Sequence, residues 1–347
     1  MKAHFLLPVL AILFFSCKKN KSDNGTPAIL TKTYAFDSDA NSTLMFKDGE
    51  AMADMTAEAR RFKIGQVLRV KAVDATTIEV ANFAPVDIAD ATVLLRLEGR
   101  EQPVRLLHIS KIRAHARQVI TYPFVEGQAL FQDTNGQTVD LSSLKASGIA
   151  PASVSFDFTG ETELIKKLKL LGKLNWEVKY HDFDAADNPA DNWKETPDAR
   201  DFRRFSGLII NLAYLFQSEQ TKTAFVNEII TDNNQVEMTA AQKQAAFEKI
   251  QAIPRFNCGI VVNVSGLGGG ATFGVANHVL HDYLTKDVSF IAVHEIGHMI
   301  GYSHNSTMTY PVNNRGAVVA TGKVYQEMVT KKELPVQATN YYMPGDL

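Results

Sequence analysis

His294-Glu295-Ile296-Gly297-His298-Met299-Ile300-Gly301-Tyr302-Ser303-His304 is the stretch of this chain whose residue types and spacing can do chemistry. On a helix, residues four apart share a face, so His294 and His298 can present two imidazoles to one ion. Glu295 stands beside them, where a carboxylate can take a proton from metal-bound water. Gly301 can adopt the left-handed conformation that ends a helix and swings the chain back. His304 then arrives as a third nitrogen ligand. Three protein ligands with a fourth position left for water is the open arrangement of a catalytic zinc, whereas a structural zinc is closed by four. An amphipathic helix that ends at a glycine and carries surface histidines by coincidence is the bland alternative. The flanks speak against it: Val288-Ser289-Phe290-Ile291-Ala292-Val293 would bury a helix face, with Asp287 as its N-cap.

This string resembles the extended zinc signature of the metzincin metallopeptidases. What the resemblance implies is residue-specific. His294, His298 and His304 would hold Zn2+, Glu295 would be the general base, and Met308 in Ser306-Thr307-Met308-Thr309-Tyr310-Pro311 would be the methionine turn that floors the site. Tyr310 has the spacing of the tyrosine that approaches the metal in astacin-like and serralysin-like members, while Tyr310-Pro311 also resembles the matrixin ending. The turn departs from the family pattern, because only Asn305, Ser306 and Thr307 separate His304 from Met308. Met343 is the other late methionine. The HEIGH spelling, the glycine run upstream and the short C-terminal part are most similar to the bacterial dual-action HEIGH metallopeptidases. The implied activity is zinc-dependent endopeptidase action on a protein or peptide substrate, with Tyr310 as an added donor to the oxyanion. An edge strand over residues 271–280 would line the cleft and pair with extended substrate by strand addition.

At 347 residues the chain has room for two domains with real cores, and 45% apolar with 21% charged residues is ordinary for a globular protein. A net charge of −2 argues against nucleic acid as the main partner. Lys166-Lys167-Leu168-Lys169 reads as the solvated side of a helix. Residues 1–17 form a polar start, an apolar run too short to span a bilayer, and a close at Ser16-Cys17. With the basic residues that follow, this resembles a bacterial lipoprotein signal. It implies that Cys17 is lipidated, that residues 18–28 are a tether, and that the chain is held to a membrane of the bacterial cell envelope. Cys258 then has no intrachain partner and reads as a buried strand thiol.

The organisation that must position the motif reads as α+β: a β-sandwich-like domain over residues 29–160, then a metzincin-like catalytic domain over 161–347. Strands are expected at 67–73, 77–80, 93–97, 104–109 and 119–122, with a helix over 51–62. His108 and His115 fall in this part and read as structural. The first domain is an accessory module or a latency pro-domain. In the second case Asp184, Asp187 or Asp191 would block the metal, and activation would need cleavage near Arg203-Arg204. Beyond Glu161 the spacing of Leu164, Ile165, Leu168 and Leu171 predicts a helix, and residues 175–180 look extended. Thr196-Pro197-Asp198 predicts a helix start with proline at the first position and a buried stretch over 202–217. Thr239-Ala240-Ala241-Gln242 predicts a capping box for a helix stopped by Pro254, followed by a strand over 259–264.

Gly266-Leu267-Gly268-Gly269-Gly270 lacks the lysine and hydroxyl residue of a phosphate loop, so it is expected only to turn the chain into the 271–280 strand. His278 and His281 would face solvent from that strand, with a second metal as the sharper reading. Two rival functions stand beside the peptidase. One is a catalytically inactive, lipid-anchored binding or adhesion protein that keeps a relic zinc helix. The other is a zinc hydrolase acting on something other than peptides.

Overall fold

The computed structural model describes residues 31–181, 183, 192–286, 289–341 and 343–347. Cys17 with its signal and tether, Asp184, Asp187, Asp191 and the expected cap Asp287 lie outside the described residues. No helix among the described residues is long and apolar enough to cross a membrane.

The first part of the chain is strands with little helix. β1 (Thr33–Phe36) and β2 (Thr43–Leu44) are followed by the single turn α1 (Met52–Met55) and by β3 (Phe62–Lys63). Then come β4 (Leu68–Ala72), β5 (Thr77–Asn82), β6 (Ile88–Leu97), β7 (Val104–Ile112) and β8 (Ala116–Thr121). β9 (Leu130–Asp133), β10 (Thr138–Asp140) and β11 (Val154–Thr159) complete it. The second part begins with α2 (Glu163–Leu170), β12 (Glu177–Tyr180), α3 (Ala199–Gln217), α4 (Glu219–Asn227) and α5 (Ala240–Gln251). It ends with β13 (Phe256–Val261), β14 (Gly266–Gly269), β15 (Thr272–Ala276), α6 (Asn277–Asp282), α7 (Ser289–Met299) and α8 (Ala317–Thr330). The fold is mixed α+β.

Three sheets organise these elements. β10-β9-β7-β6-β11 form one sheet, antiparallel except where β1 joins β7 in parallel, and β2-β8-β5-β4 form a second, antiparallel throughout. The third runs β14-β15-β13-β12-β3: β12, β13 and β15 are parallel, while β14 and β3 are antiparallel at its two edges. β3 comes from the first part of the chain, where Phe62 pairs with Val178. One apolar core accordingly runs from Phe36, Ile78 and Leu106 in the β layers, through Trp176 and Phe202, to Ile296 and Tyr325. Trp176 donates its indole N–H to Ile250 O at 2.7 Å, so burial leaves this polar atom satisfied.

The expected strands between residues 67 and 122 are present, as are α2 with its exposed lysine face, the buried α3, and α5 with its Thr239–Gln242 capping box. Cys258 is fully buried in β13, where burial pushes its thiol well up. His115 is buried and His108 lies in β7, neither of them near the motif histidines in a metal-holding group.

Four expectations are corrected. Residues 51–62 are not one helix. After α1 the chain makes only a short turn at Glu58–Arg60, because Arg60 folds inward to pair with Glu50 and Phe62 is drawn into the third sheet. The cap of α3 is Asp198, two residues later than the Thr-Pro signal suggests. Asp198 accepts from Asp201 N at 3.1 Å and Asp201 accepts from Asp198 N at 2.9 Å, a reciprocal capping box that leaves Pro197 outside the helix. Arg203-Arg204 is not an accessible cleavage point. Both residues lie inside α3, and Arg203 is buried against Asp346, Asp48 and Phe46 O. The fourth concerns residues 266–280. The edge strand is the glycine run itself, β14, while β15 is interior to the sheet. His278 and His281 sit on α6 rather than on a strand, and His281 Nδ1 bonds Asp282 at 2.7 Å.

Candidate metal centre

α7 is amphipathic in the sense the motif requires. Ile291, Ala292, Val293 and Ile296 are buried in the core, while Phe290, His294 and His298 recur every four residues along the open face. The helix ends in a Schellman motif. Tyr302 N donates to Gly297 O and Gly301 N to His298 O, each at 3.0 Å, with Gly301 at φ +96°. A side chain at that φ is strained, which is the physical need for glycine there. The reversal sends residues 303–309 back beneath the helix, bringing His304 to His294 and His298.

The three imidazoles offer ligand nitrogens that all lie within 4.8 Å of one another. His294 Nδ1 lies 3.0 Å from Thr309 O, and His298 Nδ1 lies 2.7 Å from Tyr302 O. A carbonyl only accepts, so both Nδ1 atoms carry the proton and both Nε2 atoms carry a lone pair. Those two Nε2 atoms stand 3.0 Å apart. Lone pairs facing at that distance repel unless a cation draws both. The donor set therefore fits a divalent zinc-like ion, and the bonds to Nδ1 are the outer support such ligands use. Burial lowers the proton affinity of His294 and His298 below the usual 6.5, keeping both neutral and able to ligate near pH 7.

Glu295 is 5% exposed, with Oε1 3.9 Å from His294 Nε2. Burial alone pushes its carboxyl up to about 8, and a cation beside it would bring that value down. The glycines of β14 explain this burial. A methyl group on Gly266 would stand 2.4 Å from Glu295 Oε1, and one on Gly268 would stand 2.3 Å from Glu295 O. Only a glycine edge can lie this close across the helix. Leu267, between them, packs against the cluster of Phe183, Trp193, Val261 and Ala276 and also borders the cleft that the histidines line.

Met308 is buried under the motif, its Cγ 3.5 Å from where a Cβ on Gly297 would sit. Thr309 Cγ2 would be 2.8 Å from that same Cβ, so the lack of a side chain at Gly297 makes room for Met308 and Thr309. Tyr310 is half-exposed, with its ring 4.6 Å from that of His294 and 4.8 Å from that of His304. Met343 lies elsewhere, lining a small pocket with Phe46 and His115. A cleft of about 860 Å³ opens on the Tyr310 side, lined by Val264 and Phe290 among apolar residues and by Glu295 and the three histidines. A second, of about 530 Å³, continues past His298 and His304 to Ser303 and Asn305. Gly268 borders both, so the groove runs along β14 across the histidines.

Sequence reasoning reached the three histidines, Glu295, Met308 and Tyr310, and the structure gathers all six. It missed the roles of Gly266, Gly268 and Gly297, whose signal was glycine where a helix or strand has no use for it. It also missed Thr231 and Asn233, which hydrogen-bond the loop around His304 and carry no local signal. No family model, no curated protein and no solved structure matches this chain.

Proposed function

We propose that the protein is a zinc-dependent endopeptidase of metzincin type, with His294, His298 and His304 as ligands and Glu295 as general base. The observation that carries this reading is the pair of Nδ1–carbonyl bonds, which aim two Nε2 lone pairs at one point beside a buried carboxyl. A zinc ion held by His294, His298 and His304 would supply a Lewis acid for the scissile carbonyl and would lower the pKa of water to about 7. Glu295 takes the proton of the attacking water and passes it to the leaving amine nitrogen. The Tyr310 hydroxyl, on the open side of the histidines, donates to the oxygen that gains charge. The outer edge of β14 pairs with the backbone of an extended substrate, a role that moves from residues 271–280 to 266–269. A groove continuing on both sides of the histidines favours a polypeptide over a small substrate.

The same reading takes residues 161–347 as the catalytic unit, residues 29–160 as an accessory or regulatory part, and Cys17 as the lipid anchor. The test is cleavage profiling on a peptide library, using protein without residues 1–17 beside its Glu295→Ala variant. Cuts that vanish in the variant and with a chelator are expected. Equal cutting by the variant, or none by zinc-loaded protein, would remove the peptidase reading.

A further inference from the structure

We propose that the hairpin over residues 230–238, through Asn233 and Thr231, is a positioning device for the third metal ligand, His304. The proposal rests on the metal-site reading above and goes beyond the ligands themselves. His304 differs from its two partners: it is exposed, and among the described residues no hydrogen bond reaches its ring. Beyond ring contacts with His294, His298 and Tyr310, its direction is set by the backbone on either side of it.

That backbone is gripped from one external point. Ahead of His304, Asn233 Nδ2 donates to Gly301 O at 3.0 Å, and Asn233 Oδ1 accepts from Ser303 N at 2.7 Å and from Ser303 Oγ at 3.2 Å. Behind it, Ser306 Oγ donates to Thr231 O at 2.5 Å, and Thr307 N donates to Thr231 Oγ1 at 3.2 Å. Thr307 Oγ1 in turn accepts from Thr231 N at 2.7 Å. Asn233 and Thr231 thus bracket the third ligand, one on each side.

A brace must be stiff. Asp232 closes the hairpin by accepting from Asn234 N at 2.9 Å and Val236 N at 3.0 Å, and Met238 N donates to Ile230 O at 2.8 Å. Ile230 and Met238 are buried, which anchors both ends in the core between α4 and α5. The turn from His304 to Met308 is closed on itself by Ser306 N donating to Ser303 O at 3.1 Å and Thr309 Oγ1 to Ser303 O at 2.8 Å, but these bonds stay within the turn and leave its support against the rest of the fold to other residues. The hairpin supplies that support from outside.

The experiment uses the full chain and reads metal rather than turnover. Zinc affinity by chelator competition, and the visible spectrum of the Co2+-loaded protein, would be compared for wild type, Asn233→Ala, Asn233→Asp, Thr231→Val and Thr231→Ser. Asn233→Ala is expected to weaken zinc roughly tenfold and to change the cobalt spectrum, with melting of the metal-free protein little altered. Asn233→Asp keeps the acceptor and loses the donor, so it should fall between. Thr231→Val should weaken binding, and Thr231→Ser should restore it. Wild-type affinity and spectrum in both Asn233→Ala and Thr231→Val would overturn the brace while leaving the metal site standing. So would loss of metal-free folding in every variant, which would make the hairpin a structural element only. No metal uptake by the wild type would overturn the site reading itself.

Discussion

His298 takes its orientation from a carbonyl four residues away and His294 from one fifteen residues away, whereas the loop of His304 is bonded to a residue seventy positions upstream. The first two ligands are thus fixed by the helix, its Schellman ending and the turn beneath it. The third needs the hairpin between α4 and α5 to be in place. A ligand pair set locally can form wherever the motif folds, while a ligand set remotely depends on the whole tertiary structure. The helix and its ending alone therefore orient His298, His294 needs the turn at Thr309 as well, and the proposed three-ligand centre needs the fold.

The largest expected effect breaks the local side chemically without moving it. Glu295→Gln keeps the shape of the side chain and removes its capacity to carry a proton, so turnover of a cleaved peptide should fall by about 10³-fold or more while bound zinc stays. The same variant has a signature in metal-free protein. Burial raises the Glu295 pKa from 4.5 to about 8, so the folded state holds this proton more tightly than the unfolded chain. The wild type should lose stability as pH rises from 4.5 to 8, and the glutamine variant should lack that contribution. Chemical denaturation at pH 5 and pH 9 checks it. The gap should widen with pH by up to about 4 kcal/mol, less as far as water in the open cleft screens the carboxyl. A pH-independent gap would mean the carboxyl ionises normally despite its burial.

Next in size is the contact between β14 and α7. Gly268→Ala puts a methyl 2.3 Å from a helix carbonyl that cannot yield, so the edge strand must move off the helix. A cost of about 1–3 kcal/mol in stability is expected, with kcat/KM down by more than tenfold because Glu295 loses its cover. Leu267→Ala is the contrast, since that side chain packs against the Trp193 cluster at the border of the cleft. It should cost stability with a far smaller loss of kcat/KM. Equal kinetic losses from both variants would mean that β14 matters only as structure.

Much of this was legible in the sequence where one local cause dominates. The capping box at Thr239, the buried period of α3, the strand runs from β4 to β8 and the motif each carry their own signal. β14 carried none. Glycines have no periodicity, and what makes Gly266–Gly269 a strand is its pairing with β15 and its closeness to Glu295. Residues 51–62 have helical composition, yet the inward turn of Arg60 and the pairing of Phe62 with Val178 override it. Asn233 is an ordinary exposed turn residue until the fold brings it to Ser303. The unreadable part is, in each case, a contact made outside the segment itself, from β14 with the neighbouring β15 to Asn233 with Ser303 seventy positions on.

The smallest expected effect sharpens the local side further. Phe290 precedes His294 by one helical step and is 46% exposed, facing the cleft with Val264 and Pro311 rather than filling the core. A large half-exposed apolar side chain beside the ligands is the kind of surface a substrate side chain would cover. Removing it should leave stability within about 0.5 kcal/mol, since little buried area is lost. Its effect should instead depend on the substrate. With Phe290→Ala, kcat/KM should fall about tenfold for peptides that place a large apolar residue there, and change little for those with alanine. Paired peptides differing at one position on each side of the cleaved bond would locate the subsite. A uniform fall across all peptides would show that Phe290 supports α7 rather than selecting substrate, and would move the origin of selectivity to the Ser303–Asn305 side, where the hairpin sets the geometry.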